Sequence, residues 1–87
     1  MDNNVFIKGR LVKSLAGRDK GYILAVITVD EKTVSLCDGK ERPLNRPKKK
    51  NIRHIEPLES VLTAQEMQSD RALRKAIRRV TTEDSSI

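Results

Sequence analysis

The sequence predicts a small, mainly β domain that ends in one α-helix. With 87 residues, the chain can form one hydrophobic core of modest size. Its first half alternates short apolar, β-branched segments with turns that contain glycine and aspartate, which is typical of an antiparallel sheet. Beyond residue 62, apolar residues recur at helical spacing instead. These observations favour a mainly β fold with a C-terminal helix.

Three consecutive segments have the pattern of β-strands. Residues 10–15 mix apolar and polar side chains as a half-buried strand does, and a polar turn from Gly17 to Gly21 follows. Residues 22–29 form a nearly continuous apolar run, whose length and flanking turns predict a strand buried on both faces. Residues 33–38 alternate between apolar and polar after a second short turn. We therefore predict a three-stranded meander.

The next segment, residues 40–51, contains few apolar side chains. Pro43 and Pro47 each remove a backbone hydrogen-bond donor, so we predict a long, extended, solvated loop with room for a short edge strand. Residues 52–56 form a weaker strand pattern, and Pro57 is expected to end that strand.

A helical pattern begins at Thr63, where Thr63 and Glu66 have the spacing of a capping box. An apolar stripe at helical spacing follows and is expected to pack on the sheet: Leu73, Ala76, Ile77 and Val80. We therefore expect a β domain over residues 1–60, a helix over 61–81 and a flexible polar tail over 82–87.

The formal net charge of +6 makes polyanions the first class of partner to consider. Much of the excess lies in residues 40–53, where seven cations stand against Glu41 alone: Lys40, Arg42, Arg46, Lys48, Lys49, Lys50 and Arg53. These cations repel one another, because the segment lacks the intervening acids that would offset them. We therefore interpret it as a phosphate-binding loop, the alternative being a solvated linker.

Catalysis and metal binding have no support in the sequence. His54 is the only histidine and Cys37 the only cysteine, so a metal-ligand cluster of the usual spacing is missing and no intramolecular disulfide can form. Cys37 is expected in the core, and His54 is expected to cap the domain or to donate to a phosphate. The common nucleophile, metalloprotease and phosphate-loop motifs do not occur. We therefore expect a protein that is not an enzyme and needs no cofactor.

The cysteine count and the start of the chain also indicate a compartment. A single thiol fits a reducing environment, and Met1 is followed by polar residues rather than by the basic and apolar regions of a secretory signal. The longest apolar run, residues 22–29, is too short to span a bilayer. We therefore expect a soluble, unexported, cytoplasmic protein.

Residues 9–26 place a strand, a glycine-bounded polar turn and a second strand in close succession. This segment resembles the KOW motif, in which alternating apolar and polar residues surround a glycine, as in ribosomal proteins and NusG-type transcription factors. Residues 9–58 are similar to the KOW-type large-subunit ribosomal proteins of archaea and eukaryotes and to their small bacterial relatives. The resemblance implies an SH3-like small β-barrel that binds structured RNA through the loops at one end. The structural alternative is that Gly21 closes an ordinary hairpin.

The resemblance also implies which residues meet the RNA. The contact residues that we predict are all cations of the first turn and the basic segment: Arg18, Lys20, Arg42, Arg46, Lys48, Lys49, Lys50 and Arg53. Gly17 and Gly21 are predicted to be structural turn residues. The implied function is that of a non-catalytic, monomeric ribosomal or ribosome-associated protein, a ribonucleoprotein component of translation that binds structured ribosomal RNA.

Other interpretations stay open. The domain and the apolar helix stripe could bind another protein, as an adaptor in transcription or translation, and a basic barrel could also bind DNA. Five helix cations are either a second RNA contact or charges that favour a helix C-terminus: Arg71, Arg74, Lys75, Arg78 and Arg79. Phe6 and Tyr22 are the only aromatic residues, which argues against sequence-specific reading of single strands.

Overall fold

The computed structural model of the chain describes residues 5–85. These residues form five strands and one long helix, in the order β1 (Arg10–Ser14), β2 (Ile23–Val29), β3 (Thr33–Cys37), β4 (Lys48–Asn51), β5 (Ile55–Val61) and α1 (Asp70–Ser85). Short 3₁₀ turns lie at Ile52–His54 and Gln65–Met67. The mainly β fold with a C-terminal helix is therefore confirmed.

The five strands form one antiparallel sheet in the order β4-β3-β2-β1-β5. Strands β4 and β5 lie at opposite edges, yet only the 3₁₀ turn Ile52–His54 connects them. Four extended residues span at most about 14 Å, whereas four gaps between strands of a flat sheet amount to about 19 Å. The sheet must therefore curl until its edges approach each other, although they do not pair.

Curling divides the apolar residues into two cores. The inner face of the curled sheet buries Val12, Leu24, Val26, Val34, Leu36 and Ile55. The outer face is covered by α1 and the segment before it, and its core contains Leu11, Ala25, Cys37, Leu62, Met67, Leu73 and Ala76. The apolar helix stripe therefore packs on the sheet, as predicted. A partner protein could dock on this stripe only if the helix left the sheet.

Strand β2 differs in one respect from the strand that its apolar run predicts. Leu24, Ala25 and Val26 are fully buried, so that this part of the strand is covered on both faces. Thr28 and Val29, however, are exposed. The inner and outer cores extend over only part of the sheet, so the end of β2 lies beyond both of them.

The segment from residue 40 onward contains a short edge strand, which the sequence allowed for within the predicted loop. Strand β4 (Lys48–Asn51) pairs with β3 along its length, whereas residues 40–47 form the loop before it. The expected strand over residues 52–56 with an end at Pro57 is wrong. Residues 52–54 form a 3₁₀ turn, and β5 continues through Pro57 to Val61. Pro57 is tolerated because β5 is an edge strand, which within the described chain pairs with β1 alone.

The capping box forms, but it does not begin the long helix. Thr63 N donates to Glu66 Oε1 (2.8 Å) and Glu66 N donates to Thr63 Oγ1 (3.2 Å), and these bonds accompany the 3₁₀ turn at Gln65–Met67. Helix α1 starts only at Asp70, where Ser69 Oγ accepts a hydrogen bond from Ala72 N (3.1 Å). The expected start at residue 61 is therefore wrong. Of the expected tail, residues 82–85 belong to α1, and residues 86–87 lie outside the described residues.

Cys37 is a core residue, as predicted, and its thiol should be chemically quiet. Burial raises its pKa to about 11, and the carboxylates of Asp70 and Asp38 add to this effect. Since the thiolate is the reactive form, we expect an aromatic disulfide reagent at pH 8 to modify Cys37 only as fast as the protein unfolds. The measurement is the modification rate with increasing urea. Rapid, complete modification without urea would contradict the buried position.

Candidate nucleic-acid interface

The β1–β2 turn and the basic loop lie at the same end of the sheet. Strands β1 and β3 both run antiparallel to β2 and are therefore parallel to each other. The chain leaves both of them at one end, so that residues 15–22 and residues 38–47 form a common rim. The predicted contact surface requires this arrangement, because its cations come from both segments.

The β1–β2 turn is held by backbone hydrogen bonds. Ser14 N donates to Tyr22 O (2.9 Å), Gly21 N donates to Ser14 O (2.8 Å) and Tyr22 N donates to Asp19 O (2.8 Å). Gly17 and Gly21 have φ angles of +86° and +90°, which L side chains rarely adopt. Both glycines are thus turn residues, as predicted. The turn leaves Arg18 and Lys20 exposed and directs Asp19 inward.

Asp19 is the centre of a buried ionic cluster that joins the turn to β4. Its Oδ1 accepts hydrogen bonds from Ser14 Oγ (2.8 Å) and from Lys50 Nζ (2.7 Å). Lys48 Nζ lies 3.3 Å from Oδ2 as an ion pair. Lys50 Nζ also donates to Ala16 O (2.8 Å). We call Ser14, Asp19, Lys48 and Lys50 the Asp19 cluster; it links the curled sheet where backbone pairing between its edges is missing.

Asp19 is ionised at neutral pH. Burial alone would raise the pKa of this carboxyl group, but contacts from Lys50, Ser14 and Lys48 outweigh that effect and lower the pKa to about 2. The carboxylate therefore offsets charge on two of the predicted contact residues. The side chain of Lys50 is only 9% exposed and that of Lys48 28% exposed. Lys50 therefore stabilises the fold and is not available to a ligand. Lys48 is only partly accessible to one.

The other six predicted contact residues are exposed, and their side chains have no polar partner among the side chains and backbone of residues 5–82: Arg18, Lys20, Arg42, Arg46, Lys49 and Arg53. They do not form a single patch. Lys49 points to the opposite face of β4 from its two neighbours, because side chains alternate along a strand. Arg53 lies in the 3₁₀ turn after β4, where Ile52 N donates to Lys32 O (3.0 Å).

The structure brings three of the predicted residues, Arg18, Arg42 and Lys48, to one open groove of about 270 Å³. We call it the rim groove, and its lining consists of Arg18, Asp19, Tyr22, Leu24, Glu41, Arg42 and Lys48. Tyr22 is 48% exposed in this groove. Tyr22 was not among the predicted contact residues, because it begins the apolar run that predicts a buried strand. Tyr22 directly follows Gly21 at the end of a polar turn, and this position could have indicated that its side chain is exposed.

Arg42 is positioned by a compact turn in the loop after β3. Asp38 Oδ1 accepts hydrogen bonds from Lys40 N (2.9 Å) and Arg42 N (2.8 Å). Arg42 O in turn accepts from Asp38 N (3.0 Å) and Gly39 N (3.2 Å). The backbone of Arg42 is therefore fixed on both sides, although its guanidinium group is free within the described part of the chain.

The first turn of α1 anchors this loop. Leu44 N donates to Asp70 Oδ1 (2.7 Å), and Arg74 Nη1 lies 3.5 Å from Gly39 O. Gly39 packs so closely on the helix that an added Cβ atom would lie 2.3 Å from Asp70 O. The helix thus supports the rim groove without lining it.

The helix cations differ in how far they are engaged. Arg79 forms an ion pair with Glu66, and Arg74 contacts the loop through Gly39. Three others are exposed, without a polar partner in the region that the structure describes: Arg71, Lys75 and Arg78. These three side chains could form a second contact with a polyanion. Their positions fit equally well with a helix face that is only exposed to solvent.

Further features bear on the class of protein. Among the side chains that the structure describes, no three of His, Cys, Asp or Glu are grouped so that they could bind a metal ion. Within residues 5–85, the helices fall short of the length and apolar character that crossing a membrane requires. Comparison with protein-family models and with curated proteins found no match.

Proposed function

We propose that the chain is a non-catalytic RNA-binding protein that recognises structured ribosomal RNA through its rim, as a cytoplasmic ribosomal or ribosome-associated protein. One observation carries the proposal: Arg18 and Arg42, from two separate segments, line the same groove with guanidinium groups that have no internal polar partner in the described chain. The net charge of +6 adds a general attraction to polyanions.

Two guanidinium groups on fixed backbones suit the phosphates of a folded RNA. Arginine donates in a planar fork that matches phosphate oxygens, so little freedom is lost for each hydrogen bond formed. Because the backbone at both arginines is already held, binding does not have to order these segments as well. Arg18 lies in the hydrogen-bonded β1–β2 turn and Arg42 in the loop that α1 supports. Two such groups, held by separate segments of the fold, favour an RNA surface of defined shape over an extended, flexible strand.

The fold is also compatible with the SH3-like barrel of the KOW type, which we propose as its architecture. The single 3₁₀ turn between two edge strands requires strong curling of a five-stranded sheet. The inner core and the Asp19 cluster fill the curled sheet, and the rim carries the turn and the basic loop at one end. This arrangement supports binding by loops at one end of a small barrel.

The proposal is tested by removing both groove arginines. Arg18→Gln/Arg42→Gln should weaken binding to ribosomal RNA fragments on the order of ten-fold or more. The slope of log affinity against log salt concentration should fall by about 1.4–1.8, because each phosphate contact contributes about 0.7–0.9. Both quantities can be measured by fluorescence anisotropy over a salt series.

The matched control is Lys8→Gln/Lys32→Gln. Lys8 precedes β1 and Lys32 lies between β2 and β3, so both exposed lysines belong to the end of the sheet opposite the rim. Equal losses in the two variants would show that net charge, and not the groove, determines binding. Failure of the wild-type protein to bind ribosomal RNA fragments, or equal competition by duplex DNA, would overturn the proposal.

Substitution of Lys48, Lys49 and Lys50 together is unsuitable as a test of phosphate contact. Lys48 and Lys50 hold Asp19, so their loss would destabilise the fold and weaken binding indirectly. Lys49→Gln alone removes an exposed lysine without touching the Asp19 cluster.

A further inference from the structure

Tyr22 is an exposed aromatic side chain in a groove lined by cations. The other aromatic residue, Phe6, is partly buried and packs against the inner core. Tyr22 is instead 48% exposed, although it belongs to the run that leads into the buried part of β2. An aromatic ring left half exposed beside arginines is a suitable surface for stacking a nucleobase.

The backbone of Tyr22 is fixed before any ligand arrives. Tyr22 N donates to Asp19 O (2.8 Å), and Tyr22 O accepts from Ser14 N (2.9 Å). Asp19 is itself held by the ionic contact of its side chain with Lys50 (2.7 Å). Binding therefore has to order only the two side-chain torsions of Tyr22 and not its backbone, so that most of the stacking energy contributes to affinity.

The chemistry of the remaining groove residues matches the parts of a nucleotide. Arg18 and Arg42 can bind the phosphates on either side of a base, and the carboxylate of Glu41 can accept from a base amino group. Leu24 supplies an apolar residue in the lining. The groove thus combines an aromatic face, phosphate donors and a hydrogen-bond acceptor in about 270 Å³.

We propose that the rim groove binds one unpaired nucleotide of the RNA, with its base stacked on Tyr22 and its flanking phosphates on Arg18 and Arg42. This inference rests on the proposed RNA-binding function and narrows it to folded RNA that presents a bulged or flipped base. The site takes a single base, because a run of stacked bases requires several exposed rings and Tyr22 is the one aromatic residue in the groove.

The test compares two RNA duplexes of the same sequence, one uninterrupted and one with a single unpaired adenosine. Wild-type protein should bind the bulged duplex about 5- to 150-fold more tightly, the range that one stacked base provides. Tyr22→Ala should reduce this ratio to about one, whereas Tyr22→Phe keeps the stacking face and should retain most of the preference. Val29→Ala is the matched control, since Val29 is an exposed apolar residue at the opposite end of β2.

A second readout follows the base directly. The unpaired adenosine is replaced by 2-aminopurine, whose fluorescence is excited where tyrosine does not absorb and is quenched by stacking. Wild-type protein and Tyr22→Phe should quench this fluorescence more strongly than Tyr22→Ala. Circular dichroism of each variant confirms that the sheet is retained.

The outcomes distinguish this inference from the function on which it rests. Tight binding of both duplexes by the wild-type protein with a ratio of one would overturn the nucleotide site and leave RNA binding intact. Retention of the full preference in Tyr22→Ala would also overturn it. If the wild-type protein binds neither duplex and also fails to bind ribosomal RNA fragments, both the proposed function and this inference are overturned.

Discussion

Replacing Asp19 by asparagine should lower the free energy of unfolding by about 2–4 kcal/mol, a large part of the stability of a domain this size. The substitution leaves the Lys50 ammonium group without its carboxylate, although the Lys50 side chain is only 9% exposed. It also weakens the link between the β1–β2 turn and β4. Urea unfolding followed by circular dichroism measures the loss.

The pH dependence of the same variant gives an independent readout. The pKa of Asp19 is about 2 in the folded protein, against an ordinary value of 3.8. The folded state therefore binds this proton less readily than the unfolded chain, and the ionised carboxylate stabilises the fold above about pH 4. The difference in stability between wild type and Asp19→Asn should narrow by roughly 2 kcal/mol as the pH falls from about 4 to about 2.

Asp30→Asn provides the control, because Asp30 is an exposed carboxylate in the β2–β3 turn. We expect this change to alter stability by less than about 0.5 kcal/mol. Asp19→Asn/Lys50→Met removes both charges and should cost less than the sum of the single substitutions. A loss no larger for Asp19→Asn than for Asp30→Asn would refute the role of the Asp19 cluster in holding the curled sheet.

Gly39→Ala should destabilise the protein by about 3–5 kcal/mol, because the new methyl group meets both a conformational and a steric cost. Gly39 has a φ angle of +80°, and its added Cβ atom would lie 2.3 Å from Asp70 O and 3.1 Å from Arg74 N. These atoms belong to the helix backbone and cannot rotate away, so the loop and α1 must separate. Urea unfolding measures the effect.

Gly21→Ala separates the two costs. Gly21 has a similar φ angle of +90°, but an added Cβ atom would have no heavy atom within 4 Å. This variant should lose only about 1–2 kcal/mol, the cost of placing an L side chain in the left-handed region. Equal losses at both positions would show that the contact between Gly39 and the helix is not tight in solution.

The elements that the sequence predicted well are those whose burial leaves a local pattern. Strands β1 to β3 each bury apolar residues on at least one face, so their apolar spacing is visible without knowledge of the partner strands. Strand β4 (Lys48–Asn51) has no apolar residue at all. This strand forms because it pairs with β3, and three consecutive lysines give no sign of that pairing. The sequence therefore allowed a short edge strand in this segment without locating it.

The two wrong boundaries have a related cause. A capping box satisfies the first donors of a 3₁₀ turn as well as those of an α-helix, so Thr63 and Glu66 could not indicate which would follow. Pro57 ends a central strand but not an edge strand, and the position of β5 in the sheet is decided by tertiary structure. The capping box and the proline each act as expected, but which element they start or end depends on residues far away in the sequence.

The sequence predicted which residue types form the candidate site, but not which of these residues lie together. Arg18 and Arg42 share the rim groove because two antiparallel pairings bring their segments to one end of the sheet. The Asp19 cluster was not predicted, since Asp19 and Lys50 are separated by 31 residues and meet only when the sheet curls. Counting charges along the chain therefore overstated how many lysines are available to a ligand.

The hydrogen bond between Leu44 and Asp70 makes the anchoring of the basic loop depend on a helix that follows it in the chain. The two residues are 26 positions apart, and the bond joins the basic loop to a helix that is synthesised after it. An incomplete chain already carries the cations of the rim, but the loop that holds Arg42 is not yet anchored. Under the proposed function, general attraction to RNA arises early in synthesis, whereas discrimination between RNAs arises only when α1 has docked.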